Sequence, residues 1–257
     1  MDASRIIRDE VEKVQRLREA AAGRTSLAES VSAVKRIQSL RFEFSYHDLL
    51  KGGPYQGASH FFMSELYGPL DYSRRDEQFA RIAGAIQRLL PMHAVATAVT
   101  LARLHGLTEQ MDLAMGEAWE RDGQSHGDEW DRYVRAWRQT GREVDRTHQL
   151  RLVLEVGSDL DALTRAPGLR LILRMMRGPA QAAGLPDLQR FLERGFDTFA
   201  SIGKRKRGSA RDFLEIVKRR ESEVIQALFM PDYEECQIAF RRLLDLPATN
   251  DQWGRNK

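Results

Sequence analysis

Apolar residues recur at intervals of three and four along almost the whole sequence, and stretches that alternate apolar with polar residues are nearly absent. This period follows the turn of an α-helix and not the two-residue repeat of a strand, so the pattern predicts an all-α fold: an irregular multi-helix bundle of about ten helices with no significant sheet. The one alternating piece, residues 41–46, is too short and isolated to found a sheet. A first helix is expected over residues 3–21, ending near Gly23, and a second after Thr25 with Val31, Val34, Ile37 and Leu40 as its apolar stripe. Lys51-Gly-Gly-Pro54 interrupts the chain before a short helix over 55–67, which Gly68-Pro69 ends. Ser73, ahead of Asp76 and Glu77, reads as the N-cap of a helix over 74–90 that Pro91 stops. A long, strongly amphipathic helix is expected over 92–120.

The Gly/Ser/His-rich loop 122–127 is the best candidate for a mobile connection and for a sub-division of the chain. Further helices are expected over 128–149, 150–163, 168–177, 186–202, 209–229 and 232–244. Pro186 suits a first helical turn, and Ser209-Ala-Arg-Asp212 resembles a capping box with Asp in place of Glu. Residues 1–246 therefore read as a single helical domain and 247–257 as a flexible tail, with no internal repeat.

Composition narrows the class. A chain of 257 residues with 42% hydrophobic and 30% charged residues can bury a sizeable core and is not of the disordered type. The longest uncharged run, 89–102, is too short to span a bilayer, so no membrane segment is expected. The start, MDASRIIRDEVEK, shows neither an apolar leader nor a lipidation motif, which leaves the cytoplasm as the expected location. A net charge of +3 is a weak field for this size, and only seven of the 40 basic residues are Lys, so a nucleic-acid partner is unlikely unless basic residues cluster. The single cysteine, Cys236, excludes an intramolecular disulfide and a Cys-rich zinc site; in YEECQIAF it reads as a small buried hydrophobe.

Candidate chemistry centres on two helical faces. On the short helix Ala58, Phe61, Phe62, Glu65 and Leu66 share one side, while His60, Ser64 and Tyr67 point elsewhere. Glu65 therefore lies inside an apolar arc, where it must accept hydrogen bonds from a cation or stay protonated. Arg74 and Arg75, brought back by the Gly-Pro turn, are the nearest cations. The pair is either a structural lock on the helix corner or the carboxylate of a working site. On the helix after Pro91, His105, Glu109 and Asp112 recur at i, i+4 and i+7 beside Ala98 and Ala102, which suggests close helix packing over a hydrogen-bonded seam. His-x-x-x-Glu spacing permits joint metal ligation, but a di-iron bundle wants Glu-x-x-His motifs and none occurs; no metal and no cofactor is assigned. His47, His60, His93, His126 and His148 are scattered.

The densest basic run, Lys204, Arg205, Lys206 and Arg207, precedes a helix start and is a candidate for anion or nucleic-acid contact, though no aromatic residue interleaves it. Trp119, Trp130, Tyr133 and Trp137 are spaced like a core stripe, and Leu171, Met175 and Met176 are read the same way. Phosphate-loop, nucleophile-elbow and His-Glu-x-x-His motifs are missing, so catalytic residues stay unassigned.

Phe61-Phe-Met-Ser-Glu-Leu-Tyr67 resembles the signature of the bacterial FFLEELY motif proteins, a family of largely unknown function. The likeness extends to Tyr46-His-Asp-Leu-Leu50, to Gly68-Pro69 with Asp71, Arg74, Arg75 and Asp76, and to Leu104-His-Gly-Leu-Thr-Glu109 with Asp112, covering roughly residues 41–115. Met63 and Ser64 stand where the motif has Leu and Glu. Met is a near-isosteric core replacement, and the lost Glu makes Glu65 the carboxylate that counts if an activity is shared. The resemblance implies a shared fold and no substrate.

The leading expectation is a module that binds or scaffolds a partner protein. The rival is a helical enzyme or small-ligand binder in which Glu65, Arg75, His105, Glu109 and Asp112 line a pocket, with Tyr67, Asp71, Arg74 and Asp76 completing the cluster. Nonspecific nucleic-acid binding through 204–207 is the third. Convergence of these side chains on a cavity of a few hundred Å3 favours the rival; solid packing favours a structural role.

Overall fold

The computed structural model describes residues 2–65, 72–123, 127–202 and 208–246. Among these residues there is no strand, and thirteen helices follow one another: α1 (Ala3–Ala22), α2 (Thr25–Ser45), α3 (His47–Leu50), α4 (Gln56–Glu65), α5 (Ser73–Leu89), α6 (Met92–Asp122), α7 (Glu129–Thr140), α8 (Glu143–Thr164), α9 (Leu169–Met175), α10 (Arg177–Ala182), α11 (Pro186–Ile202), α12 (Ala210–Leu228) and α13 (Tyr233–Leu243). Local chemistry explains several starts. The Asp2 carboxylate accepts from the Arg5 backbone N–H at 3.1 Å, and Asp232 does the same for Glu235 at 2.8 Å. Asp128 with Asp131, and Ser209 with Asp212, form complete capping boxes.

Several boundaries differ from the sequence reading for identifiable reasons. The break expected between residues 149 and 150 lies instead at Gly141, whose φ of +60° ends α7 in the left-handed region. The apolar spacing runs on across that glycine and conceals it, and α8 continues unbroken through Leu150. Ser73 does not cap α5: Tyr72 holds that position with its hydroxyl turned to the Ser64 carbonyl at 2.6 Å, and the Ser73 hydroxyl accepts from Arg18 at 3.2 Å. The alternating segment 41–46 is absorbed into the end of α2, and the stretch 168–177 splits into α9 and α10. The expected tail, 247–257, and residues 124–126 of the loop expected over 122–127 lie outside the described residues.

Helix α6 is the axis of the assembly. It is not the amphipathic surface helix its sequence suggests, because α1, α2, α5, α7 and α8 all pack against it and bury residues on most of its sides, from Val95 through Ala102 and Met111 to Trp119. Three buried clusters result. One joins α1 and α5 to α6 around Ile7, Ala83 and Val99. Another joins α2, α6, α7, α12 and α13 around Met115, Tyr133, Trp137 and Phe240. The last joins α6, α8, α11 and α12 around Met111, Phe199 and Phe213. Each fully buried aromatic contributes on the order of 1.5–3 kcal/mol of transfer free energy.

The expected aromatic stripe is core: Trp119, Tyr133 and Trp137 are buried and Trp130 packs against them. Cys236 is fully buried, and burial pushes its thiol pKa up. Leu171, Met175 and Met176 are not core. They are 61%, 69% and 44% exposed, because α9 is a short peripheral helix; Met176 still lines the chamber edge beside Leu169, Ile172 and Leu173. No helix among the described residues is long and apolar enough to cross a membrane.

Candidate functional site

Five helices bring charged side chains to one seam beside α6. α1 supplies Arg18, α2 supplies Lys35, Gln38 and Arg41, α4 ends in Glu65, α5 begins with Arg75 and Asp76, and α6 presents His105, Glu109 and Asp112 along one face. Arg18 is the hub. Its Nη1 donates to Asp76 Oδ2 at 3.0 Å, its Nη2 donates to Glu109 Oε1 at 2.7 Å, and His105 Nε2 lies 2.8 Å from the same Asp76 oxygen. Lys35 Nζ donates to Glu109 Oε2 at 3.0 Å and stands 3.7 Å from Asp112 Oδ2. Gln38 links Asp112 onward to the Tyr133 hydroxyl, each at 3.5 Å.

Neighbouring carboxylates on α6 have opposite electrostatic fates. Burial works to raise Glu109, but Lys35 and Arg18 hold it below its ordinary value of 4.5. Asp112 is deeper, and burial, reinforced by Glu109, pushes its carboxyl above the ordinary 3.8 despite Lys35. Burial would likewise lower Arg18, yet Glu109 and Asp76 carry it above its usual range.

Glu65 faces inward, as its position in the apolar arc predicts, with its side chain 13% exposed. It is tied to Arg194 of α11, which its own neighbourhood in the sequence could not reveal, and stands 3.6 Å from Arg75. Arg74, the other expected cation, is exposed and helps to hold down Asp187 instead. Tyr67, Asp71 and the basic run 204–207 lie outside the described residues. His105, Glu109, Asp112, Asp76, Arg75 and Glu65 thus converge, whereas Arg74 does not.

Beyond Asp112 the polar seam continues into the core. Arg41, 2% exposed, donates two hydrogen bonds to Glu221 of α12 at 2.9 and 3.1 Å, and Tyr46 donates a third at 2.9 Å. Arg146, 3% exposed, lies over the Trp137 ring at 4.0 Å and donates to Gln149 at 3.1 Å, which in turn donates to Thr108 at 2.8 Å. The sequence held a signal for part of this. Val34, Ile37, Gln38 and Arg41 are related by i, i+3, i+4 and i+7, so the polar pair continues the buried stripe of α2.

Two spaces adjoin the seam. A cleft of about 90 Å3, room for about three waters, is lined by Arg75, Asp76, His105, Glu109 and Asp112. Beside it is a chamber of about 510 Å3 lined by α4, α5, α6, α8, α9, α10 and α11, and Phe79, Leu101, Leu188, Phe191 and Leu192 border both. The chamber wall is almost wholly aliphatic and aromatic, Thr97 and Gln189 being its polar members among the described residues. The polar cleft alone is thus smaller than an ordinary ligand site, whereas the two together reach that size.

Chemically, each carboxylate of the Arg18 hub has a cation or imidazole at hydrogen-bond distance, so the charges of the seam are closely matched. The described residues include no group of three or more His, Cys, Asp or Glu side chains able to hold a metal ion. No curated protein and no solved structure matches the chain. A family model described as "Domain of unknown function (DUF8198)" matches residues 17–235, a span that takes in Arg18, the whole seam and, Val11 of the cleft apart, the lining of both spaces, and the chain belongs to that family.

Proposed function

We propose that the protein binds a small amphipathic molecule, with the apolar body of the ligand in the chamber and its polar end in the charged cleft. The observation that carries this reading is the shared lining at Phe79 and Phe191, which sets a space of ligand size with an apolar wall directly beside a cluster of ion-paired side chains. The matched charges of the seam support a binding role over catalysis, since a rigid, neutralised wall orients a ligand without consuming a proton. The same arrangement would give the FFLEELY signature a purpose: Phe61 lines the chamber and Glu65 lines the cleft.

Titration with Nile red, an uncharged apolar dye, tests the reading. Saturable binding with one dye per chain is expected, abolished by Ala98→Phe, which places a ring in the chamber beside Leu101, while the melt remains cooperative. Non-saturable binding, or binding untouched by Ala98→Phe, would refute it. A second reading, docking of a partner protein, is favoured by exposed Leu171 and Met175 on α9, beside Ile172 and Met176 at the rim of the chamber.

A further inference from the structure

We infer that the polar end of the ligand is a carboxylate and that Arg75 receives it, so that the site takes a long-chain monocarboxylate; this rests on the amphipathic-ligand reading above. Among the described residues, the acids that ring the cleft mouth already hold close partners. Asp76 has Arg18 and His105 at 3.0 and 2.8 Å, Glu109 has Arg18 and Lys35 at 2.7 and 3.0 Å, and Glu65 is bonded to Arg194. An incoming cation would have to displace one of these.

Arg75 differs from the other cations of the cluster. Among the described residues its nearest carboxylate oxygens, on Glu65 and Asp76, stand at 3.6 and 3.8 Å, beyond hydrogen-bond reach, and its Nη1 donates to the Glu65 backbone carbonyl at 3.1 Å. The guanidinium lies over the rings of Tyr72 and Phe191 at 4.2 and 4.5 Å. Stacking fixes its plane while leaving donors at its edge, the arrangement that meets a two-oxygen anion in bidentate fashion. Phe191 borders both spaces, so Arg75 lines the cleft against a ring that also forms part of the chamber wall.

Size and charge refine the class. A cleft of about 90 Å3 accommodates a carboxylate and ordered water, but it is cramped for a phosphodiester head bearing further substituents. Arg18, Lys35, Arg75 and Arg194 face Glu65, Asp76, Glu109 and Asp112, four cations against four acids. The side chain of Arg75 is only 14% exposed, so a charge-assisted bond made there is little weakened by water.

Calorimetric titration of the full chain with dodecanoate and with dodecanol, which share a tail, separates the head from the body. The acid is expected to bind about tenfold tighter or more than the alcohol, given the strength of charge-assisted bonds. The gap should close in Arg75→Gln with dodecanol affinity kept, and Arg75→Lys should fall between. Equal affinities for acid and alcohol in the unmodified protein, or a preference for the acid that survives Arg75→Gln, overturn the carboxylate assignment and leave the amphiphile reading standing. Failure of both ligands to bind overturns both. The comparison of acid with alcohol needs no variant, so it decides the matter even where a substitution impairs folding.

Discussion

Glu109 and Asp112 sit one turn apart on α6 and both are buried, yet neutralising them should move stability in different directions. Glu109→Gln removes the charge that holds Arg18 and Lys35. Breaking a fully buried pair costs about 3–5 kcal/mol. Here Arg18 keeps Asp76 at 3.0 Å and Lys35 keeps Asp112 at 3.7 Å. The expected loss is therefore smaller, about 2–3 kcal/mol, or a melting point lower by about 5–10 °C for a chain of this size.

Asp112→Asn, by contrast, relieves a charge that burial disfavours and keeps an acceptor for Gln38, so stability should be unchanged or higher. The pH dependence follows from the signs. The folded-state pKa of Glu109 is depressed, so its contribution is present above the ordinary 4.5 and is lost as pH falls through the folded value. Asp112 is raised, so its contribution is fully present below 3.8 and is lost as pH rises through its folded value. Urea unfolding followed by circular dichroism, at neutral pH and below pH 4, measures both. The Glu109→Gln deficit should shrink in acid, and so should any Asp112→Asn gain. Equal destabilisation by the two substitutions at neutral pH would refute the electrostatic account of the seam.

Other expectations are simpler to check. A Cβ on Gly116 would come within 2.3 Å of Val31 Cγ2 and 3.2 Å of the Val31 backbone, so α2 and α6 cannot both stay in place. Gly116→Ala should therefore lower the melting point despite a gain in helix propensity of about 1 kcal/mol, since overpacking costs about 1–3 kcal/mol. Adding Val31→Ala should restore part of the loss, and a raised melting point would contradict so close a helix contact. Cys236 should react slowly with a disulfide-exchange reagent in the native protein and rapidly in urea, because its thiol is fully buried and its pKa raised. Prompt native labelling would place the α12–α13 packing in question.

Much of the fold was legible because helical periodicity and end chemistry are local. The Ser209–Asp212 box and the start at Pro186 could be read from four residues or fewer, and the structure places helices there. Gly141 was missed because the apolar rhythm does not change across it, and only the left-handed backbone reveals the break. In the site, spacing alone put His105, Glu109 and Asp112 on one face and turned Glu65 inward. Their partners Arg18, Lys35 and Arg194 come from α1, α2 and α11, and nothing local distinguishes them from the many surface arginines and lysines. The chamber was invisible for the same reason, since its wall is shared by seven helices and each contributes residues that look like ordinary core.

The central position of α6 sets an order on biosynthesis. Ile7, Val11 and Val14 of α1 are covered by helices that follow much later in the chain, with α5 and α6 packing against α1. While the polypeptide emerges, that stripe has no lasting cover until residue 122 has left the ribosome, and the nascent N-terminal segment is a natural client for chaperones that shield apolar surface. A fragment truncated at Leu90 would lack the helix its first two are shaped to embrace, and it should aggregate where the intact chain stays dispersed.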